Sequence, residues 1–359
     1  MFPLGNMLYN NVELLAMKKV LYLTEWELKS SDGISKKINS QLRSMEKKAH
    51  VTLCVINGKK VNIGKKTNYT KSIFHSYFLL YQYVKYNPID SLYARNMGGI
   101  GAVLFIFLTN FLKIDKVFVE VPTYPFKGEG KWSIKTALLG LVKKCYRFSV
   151  DSVVYIGEHT SKIWGIPAIR IDNGIDVDDY RPVIDKDRNS PIHMVGVASL
   201  AHWHGYDRLI LGINESEIPC VFHIVGEGPE LEYLKQLVEP NRKDNVVFHG
   251  YKDGCDLDTI FDVCHIAIDS LGRHRSGISV NSSLKSKEYA ARGLPFILSH
   301  VDSCFESCEF AYKVDANDSP IPISSVIDWY NRLESSTHDI RAFAKSKLTW
   351  DEQIEKIGI

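Results

Sequence analysis

The stretch 283-SLKSKEYAARGLPFIL-298 decides how the rest of the chain is read. Its first part predicts a short helix, and Gly293, just past the last helical turn, is the usual stop. "LPFIL" then follows at once as a continuous apolar strand. A strand without polar alternation needs cover on both faces, which a parallel sheet flanked by helices supplies. Lys285 and Glu288 lie three residues apart and so share one face of the helix, with Lys287 beside them. An ammonium and a carboxylate held together at the rim of a sheet suit a ligand that carries both hydroxyls and negative charge.

The same rhythm runs through the second half. Strands are expected at "HMVGVASL" (193–200), "VFHIVGEG" (221–228), "VVFHGY" (246–251), "HIAIDSL" (265–271) and "LPFILS" (294–299). Helical periodicity in "YDRLILGINE" and "GPELEYLKQLV" separates them. The first half reads alike, with strands "KKVLYLTEW" (18–26), "HVTLCVI" (50–56), "SLYAR" (91–95), "KVFVEV" (116–121), "SVVYIG" (152–157) and "AIRID" (168–172). Ser31 or Asp32 is expected to cap the helix after the first strand. Residues 173–191, rich in turn formers and charge, read as a linker. The fold class is therefore α/β, two doubly wound Rossmann-like domains in tandem, with domains over 1–182 and 183–340 and a closing segment over 341–359. Ligands of such sheets bind beyond the carboxyl ends of the strands, so a cleft between the two domains is the expected site.

Bulk properties narrow the function. The chain has 359 residues, 45% apolar and 24% charged, with a net charge of +2. That length suits two cores, and the weak net charge gives no global case for nucleic acid. The basic residues Lys36, Lys37, Arg43, Lys47, Lys48, Lys59, Lys60, Lys65 and Lys66 crowd the first seventy positions. With the aromatic run "IFHSYFLLYQYVKY" (73–86), they suggest peripheral contact with an anionic membrane, a solvated basic face being the plainer reading. Seven cysteines without a pairing pattern or a nearby histidine pair fit reduced thiols in the cytoplasm. "IGAVLFIFLTNFLKI" (100–114) is shorter than a membrane span and reads as a buried helix. Residues 1–16, before "MKKVLYL", read as an upstream extension.

The chemistry gathers at strand ends. In "VGEGPE", Gly226 and Glu227 follow a strand, so backbone amides can approach an anion or a ribose, although a tight turn explains the glycines equally. "SLAHWHGYDRLI" places Ser199 and His204 beyond another strand, and Tyr251 ends the next. "SLGRHRSGISVNSS" carries Arg273, His274 and Arg275 among glycines and serines, a clasp suited to a diphosphate. Glu288 can accept both hydroxyls of a ribose, and Lys285, one turn earlier, can face phosphates. The acidic pairs of "DVD" (176–178) and "DLD" (256–258) read as capping and turn residues rather than metal ligands.

In order and spacing, "NGIDVDDYRP", "GVASLAHWHGYDRLI", "VGEGPELEYLKQLV", "VVFHGY" and "LKSKEYAARGLPFIL" resemble glycosyltransferase family 4, the retaining enzymes of GT-B fold. "VPTYPF" and "WHGYDRLI" are similar to enzymes that build bacterial surface polysaccharides. The resemblance implies a nucleotide-diphosphate sugar as donor, Glu288 on its ribose, the base near Tyr251, and Gly33 of "SDGISKKI" close to its phosphates. It implies an acceptor, a glycan or a lipid-linked glycan, near Glu120, Thr123 and Tyr124. "LTWDEQIEKI" (348–357) resembles the last helix of this fold, which returns to the first domain. No metal or other cofactor is implied.

Two departures stand out. The family often carries a second glutamate eight residues before the ribose-binding one, and Val280 stands there. Its arginine and lysine on the phosphates correspond to Ala198 and His204. Arg273, His274, Arg275 and Lys285 are then the expected source of positive charge, and Glu120, His204 and Arg275 are the candidates for catalysis. A sugar-nucleotide 2-epimerase and a non-catalytic partner subunit share this architecture and stand as alternatives. A dehydrogenase is set aside, because "LTEWELKSSDG" lacks the dinucleotide fingerprint.

Overall fold

The computed structural model describes residues 17–29, 33–95, 99–125, 143–188 and 191–359. The upstream residues 1–16 and the two expected caps, Ser31 and Asp32, lie outside them. The chain divides into two compact units. The first ends at Asp172 and regains Trp350–Ile359; the second is Asn173–Thr349 and also takes Pro125. The boundaries thus fall at 172 and 349, and helices Ile323–Arg332 and Thr337–Lys347 belong to the second unit.

In the first unit the described residues form one sheet in the order β4-β3-β2-β1-β5-β6-β7-β9-β8. Its parallel centre is β1 (Lys18–Thr24), β2 (Ala49–Asn57), β5 (Ser91–Arg95), β6 (Lys116–Tyr124), β7 (Ser152–Gly157) and β9 (Ile166–Arg170). β3 (Lys60–Ile63) and β4 (Lys66–Tyr69) add an antiparallel hairpin at one edge, and β8 (Lys162–Ile163) ends the other. Four of the nine residues of the expected basic face, Lys59, Lys60, Lys65 and Lys66, therefore belong to the lysine-rich hairpin of an edge, where charge discourages pairing with another chain. Helix Gly33–Glu46 turns Ile38, Gln41 and Met45 inward. The closing helix Trp350–Ile357 packs Trp350, Ile354 and Ile357 into the same cluster, while its Asp351 accepts from Ser44 Oγ at 2.6 Å and Lys47 Nζ at 2.7 Å.

Glu120 corrects the sequence reading. Named above as a candidate for catalysis, it lies within β6, is fully buried, and faces the helix Gly33–Glu46. Tyr93 Oη (2.7 Å) and Gln41 Nε2 (3.1 Å) donate to its Oε2, while Lys37 Nζ sits 3.0 Å and Arg95 Nε 3.4 Å from Oε1. Burial alone would raise this carboxyl, but Lys37 and Arg95 bring it down to about 2. A carboxylate this enclosed is the tie of a buried ion network among the described residues. Thr123 and Tyr124 do end β6 and are half-buried. A bulge between Val121 and Tyr124 turns the tyrosine onto Tyr155, ring centroids 5.7 Å apart.

The expected buried helix at 100–114 is buried on one side only. Helix Ile100–Leu108 packs Ala102, Phe105 and Ile106 inward and, with the following turn Thr109–Phe111, leaves Ile100, Leu104, Phe107, Leu108 and Phe111 exposed. Phe74 and Phe78 of the adjacent helix Ile73–Tyr86 are also more than half exposed. No helix among the described residues is long and apolar enough to cross a membrane.

The second unit has an all-parallel sheet in the order β12-β11-β10-β13-β14-β15. The strands are β10 (Ile192–Val197), β11 (Cys220–Val225), β12 (Val246–Phe248), β13 (Ile266–Ile268), β14 (Phe296–Leu298) and β15 (Ala311–Lys313). Counted from β10, that is the order 3-2-1-4-5-6 of a dinucleotide-binding sheet, and the direction of winding reverses between β10 and β13.

Candidate functional site

The loops that leave β10 and β13 flank this reversal point. They are stitched together: His204 O accepts from Leu271 N at 2.7 Å. Gly205 has φ +66, and a Cβ on it would stand 2.5 Å from Gly272 N, so only glycine lets the loops meet. Arg208, buried at the start of the next helix, donates to Leu271 O, Ser319 O and Asn317 Oδ1 and fixes both loops from below. Gly205→Val should cost about 2 kcal/mol or more through backbone strain and the clash, seen as a lower urea midpoint with unchanged slope.

Helix Leu284–Arg292 begins beside these loops. Ser283 caps it, accepting from Lys285 N at 3.2 Å, and Gly293 ends it at φ +81. Lys285 Nζ stands 3.2 Å from Asp269 Oδ1 and 3.1 Å from Ser270 Oγ, above the Tyr206 ring at 5.8 Å. Asp269, the first residue after β13, is fully buried; it also takes Ser270 N (2.7 Å) and Ser283 Oγ (3.0 Å) on the same oxygen. Burial would raise its carboxyl, yet Lys285 and His300 bring it down to about 2. Burial lowers the Lys285 ammonium, and Asp269 opposes that shift.

His204 accepts the Ala201 N–H on Nδ1 at 3.0 Å. Burial, then Lys285, lowers its pKa to about 2, so the ring is neutral and its hydrogen sits on Nε2. That N–H is a donor without charge at the mouth of the reversal point. Glu288, one helical turn after Lys285, is half-buried; one oxygen accepts from Arg292 Nε at 3.0 Å, and Arg292 Nη1 continues to Asp258 Oδ1 at 2.6 Å. Its carboxylate is thus held in orientation by the arginine.

Other expected residues fall elsewhere or are already engaged. Arg275 is committed to carboxylates: Nη1 and Nη2 grip Asp207 at 2.8 and 2.7 Å, and Nε meets Asp318 at 2.7 Å. His274 also meets Asp318, at 3.0 Å. A guanidinium so neutralised is a structural clamp, which corrects its reading as a catalytic cation. The adjoining cavity of about 490 Å³ is lined by Asp207, Glu230 and Asp318 with His202, Tyr233 and Arg275, a set that repels a diphosphate. Gly226 gives its N–H to Gly250 O at 2.7 Å, and a Cβ there would lie 1.9 Å from Ala198 O; its glycine serves close packing, the plainer of the two readings. Ser199 and Glu227 are exposed beside it. Tyr251 is 55% exposed and donates to Asp253 at 3.0 Å, presenting an open ring. Arg273 is half-buried near His204 and Lys285. Gly33, exposed, opens its helix in the first unit. Lys287, grouped with Lys285 in sequence, is fully buried against Asp302 at 2.5 Å.

Sequence reasoning missed Asp269 and Ser270. The signal was an acid placed directly after the apolar run "HIAI", where a plain turn residue would serve a closed loop. It also missed His300, buried with its Nε2 3.9 Å from Asp269 Oδ2.

The structure is similar to a glycosyltransferase from Rickettsia africae, with a TM-score of 0.67 and 11% identity over 95% of this chain and 97% of that one. It is likewise similar to Anabaena HepE in complex with UDP-glucose, with a TM-score of 0.63 and 12% identity over 95% and 99%. The lipopolysaccharide outer core galactosyltransferase WaaB gives a TM-score of 0.58 and 12% identity over the same shares. The fold is GT-B. No protein-family model and no curated protein sequence matches the chain. At these identities the likeness carries the GT-B architecture alone, and the chemistry must come from the residues. Lys285 and neutral His204 together can hold an anion, and Glu288 can accept paired hydroxyls within one helical turn.

Proposed function

We propose that this GT-B protein is a retaining, metal-independent glycosyltransferase of the family 4 type. It moves a hexose from a nucleotide-diphosphate sugar to a glycan or lipid-linked acceptor in surface polysaccharide assembly. The observation that carries the reading is the Lys285–Asp269–Ser270 cluster beside neutral His204 at the reversal point of a dinucleotide-type sheet. Uridine diphosphate is the favoured leaving group, because HepE was solved with UDP and UDP-glucose on the same fold.

In this scheme Glu288 accepts the ribose hydroxyls and the open ring of Tyr251 lies against the base. Lys285, which shares its charge with Asp269, turns a remaining N–H to the departing diphosphate while His204 donates Nε2–H to it. Charge that develops on the leaving oxygen is met by donors already in place, which is where most of the rate arises. The departing phosphate takes the proton of the acceptor hydroxyl, so no protein base is required and Glu120 is not one.

A thermal-shift panel of UDP, GDP, ADP, TDP and CMP tests the donor. A nucleotide at 100 times its dissociation constant stabilises by about 2.7 kcal/mol, and UDP is expected to raise the melting temperature most. A flat panel would remove the reading. Donor incubated alone should give slow hydrolysis without a 2-epimer, which separates transferase from epimerase.

The exposed set of Leu104, Phe107 and Phe111, with exposed Lys71, Lys85, Lys113 and Arg147 on the same unit, suits an anionic lipid surface. Phe107→Asp/Phe111→Asp is expected to lower sedimentation with phosphatidylglycerol vesicles about tenfold or more. Equal sedimentation of both proteins would dismiss the membrane contact.

A further inference from the structure

Three histidines line up across the edge of the second unit's sheet: His193 in β10, His223 in β11 and His249 immediately after β12. His193 Nδ1 meets His223 Nε2 at 2.8 Å, and His223 Nδ1 meets His249 Nε2 at 2.9 Å. Ring centroids are 5.1 and 5.2 Å apart at interplanar angles of 15° and 28°. Centroids so much farther apart than the nitrogens mean rings that meet edge to edge. At the near end His193 N donates to His265 Nδ1 at 3.0 Å. None of the four is used by the proposed chemistry.

Such a row has coupled tautomers. Each N···N contact holds one hydrogen, so the three neutral rings carry their hydrogens either all on Nδ1 or all on Nε2. One further proton is accommodated with both contacts intact; on His223, for example, it lets the central ring donate both ways. A second places two N–H groups face to face, and one contact must open. Burial lowers the pKa of all four histidines, and His193 and His249 join it in bringing His223 to about 4. The charged groups acting on the row are cations, Lys252 beside His249 and Lys186 beside His265. Charging of the row is therefore opposed by burial throughout and by Lys252 at the His249 end.

His249 opens the loop that carries Gly250, whose carbonyl receives Gly226 N, and Tyr251. We propose that the His193–His223–His249 row is a proton-sensitive tie that positions the 249–251 loop for the nucleotide's base and lets it go when a second proton enters. This rests on the reading of that loop as part of the donor site. The three are positioning residues: they reach the nucleotide only through the loop.

The test compares the full-length protein with the His249→Gln variant, whose amide keeps a hydrogen-bonding atom at the ε position but does not titrate. Hydrogen-exchange protection of the Gly226 amide, corrected for intrinsic rate, is expected to fall about tenfold or more in the wild type from about pH 6.5 to about pH 4, because the row's histidines are held below their ordinary value. It should change less than about threefold in the variant, and UDP affinity should follow the same pattern. The phosphate's own titration is common to both proteins. His193→Asn, which preserves the δ position, serves if the first variant does not fold. Parallel losses of Gly226 protection in wild type and variant would overturn the tie. Divergent protection with no UDP binding at any pH would leave the tie standing and remove the donor-site reading instead.

Discussion

Lys285→Met is expected to lower sugar transfer by roughly 10²- to 10³-fold, the usual cost of one preorganised donor at a developing oxyanion. The loss should appear in kcat more than in KM, because the ammonium matters most when the diphosphate departs. The substitution also strands Asp269, which is fully buried and held ionised by that lysine. An unpaired buried carboxylate costs about 3–5 kcal/mol, so the single variant confuses folding with chemistry. The double variant Asp269→Asn/Lys285→Met removes both charges, should regain most of the stability, and should stay inactive. Recovery of activity in the double variant would mean that Lys285 only balances Asp269.

Glu120→Ala should lower stability by about 3–5 kcal/mol, because Lys37 and Arg95 would stay buried without their shared carboxylate. Glu120→Gln keeps an acceptor for Tyr93 and should lose less. The folded fraction of either variant should transfer sugar with kcat near wild type; a loss of kcat in fully folded Glu120→Gln would restore the catalytic reading. The sign with pH follows from the lowered carboxyl. Its contribution is complete above the ordinary glutamate value of about 4.3 and is lost as pH falls toward about 2. The lowered histidines act earlier. Unfolded histidines take protons below about 6.5 while the folded ones resist, so stability already declines from that pH downward.

The parallel architecture was legible because unbroken apolar strands such as 294–299 and 193–200 have no other economical cover than helices on both faces. The glycine stop at 293 and the placement of Lys285 and Glu288 on one helix were equally local, and the helix Leu284–Arg292 bears them out. What escaped was set by distance along the chain. Lys37 was counted among solvated cations, but its partner Glu120 lies on a strand far along the chain and nothing near residue 37 announces it. The Arg273–His274–Arg275 run looked like a phosphate clasp because Asp207 and Asp318, which neutralise Arg275, are remote in sequence. The edge hairpin at 60–69 was hidden by its lysines, which suit an exposed edge yet mask strand alternation. The histidine row is invisible for the same reason: His193 and His223 come from two strands and His249 from the end of a third, and they meet on a diagonal across the sheet, each displaced two residues from register.

The most direct measurement is the location of bound UDP on the full-length protein by amide chemical-shift or hydrogen-exchange mapping. Changes should centre on the loops 199–205 and 269–273 and on the start of helix Leu284–Arg292, and Lys285→Met should weaken them. Changes confined to the cavity at the strands' amino ends, lined by Cys264, His265 and Pro295, or no changes at all at saturating UDP, would contradict a donor held by Lys285, His204 and Glu288.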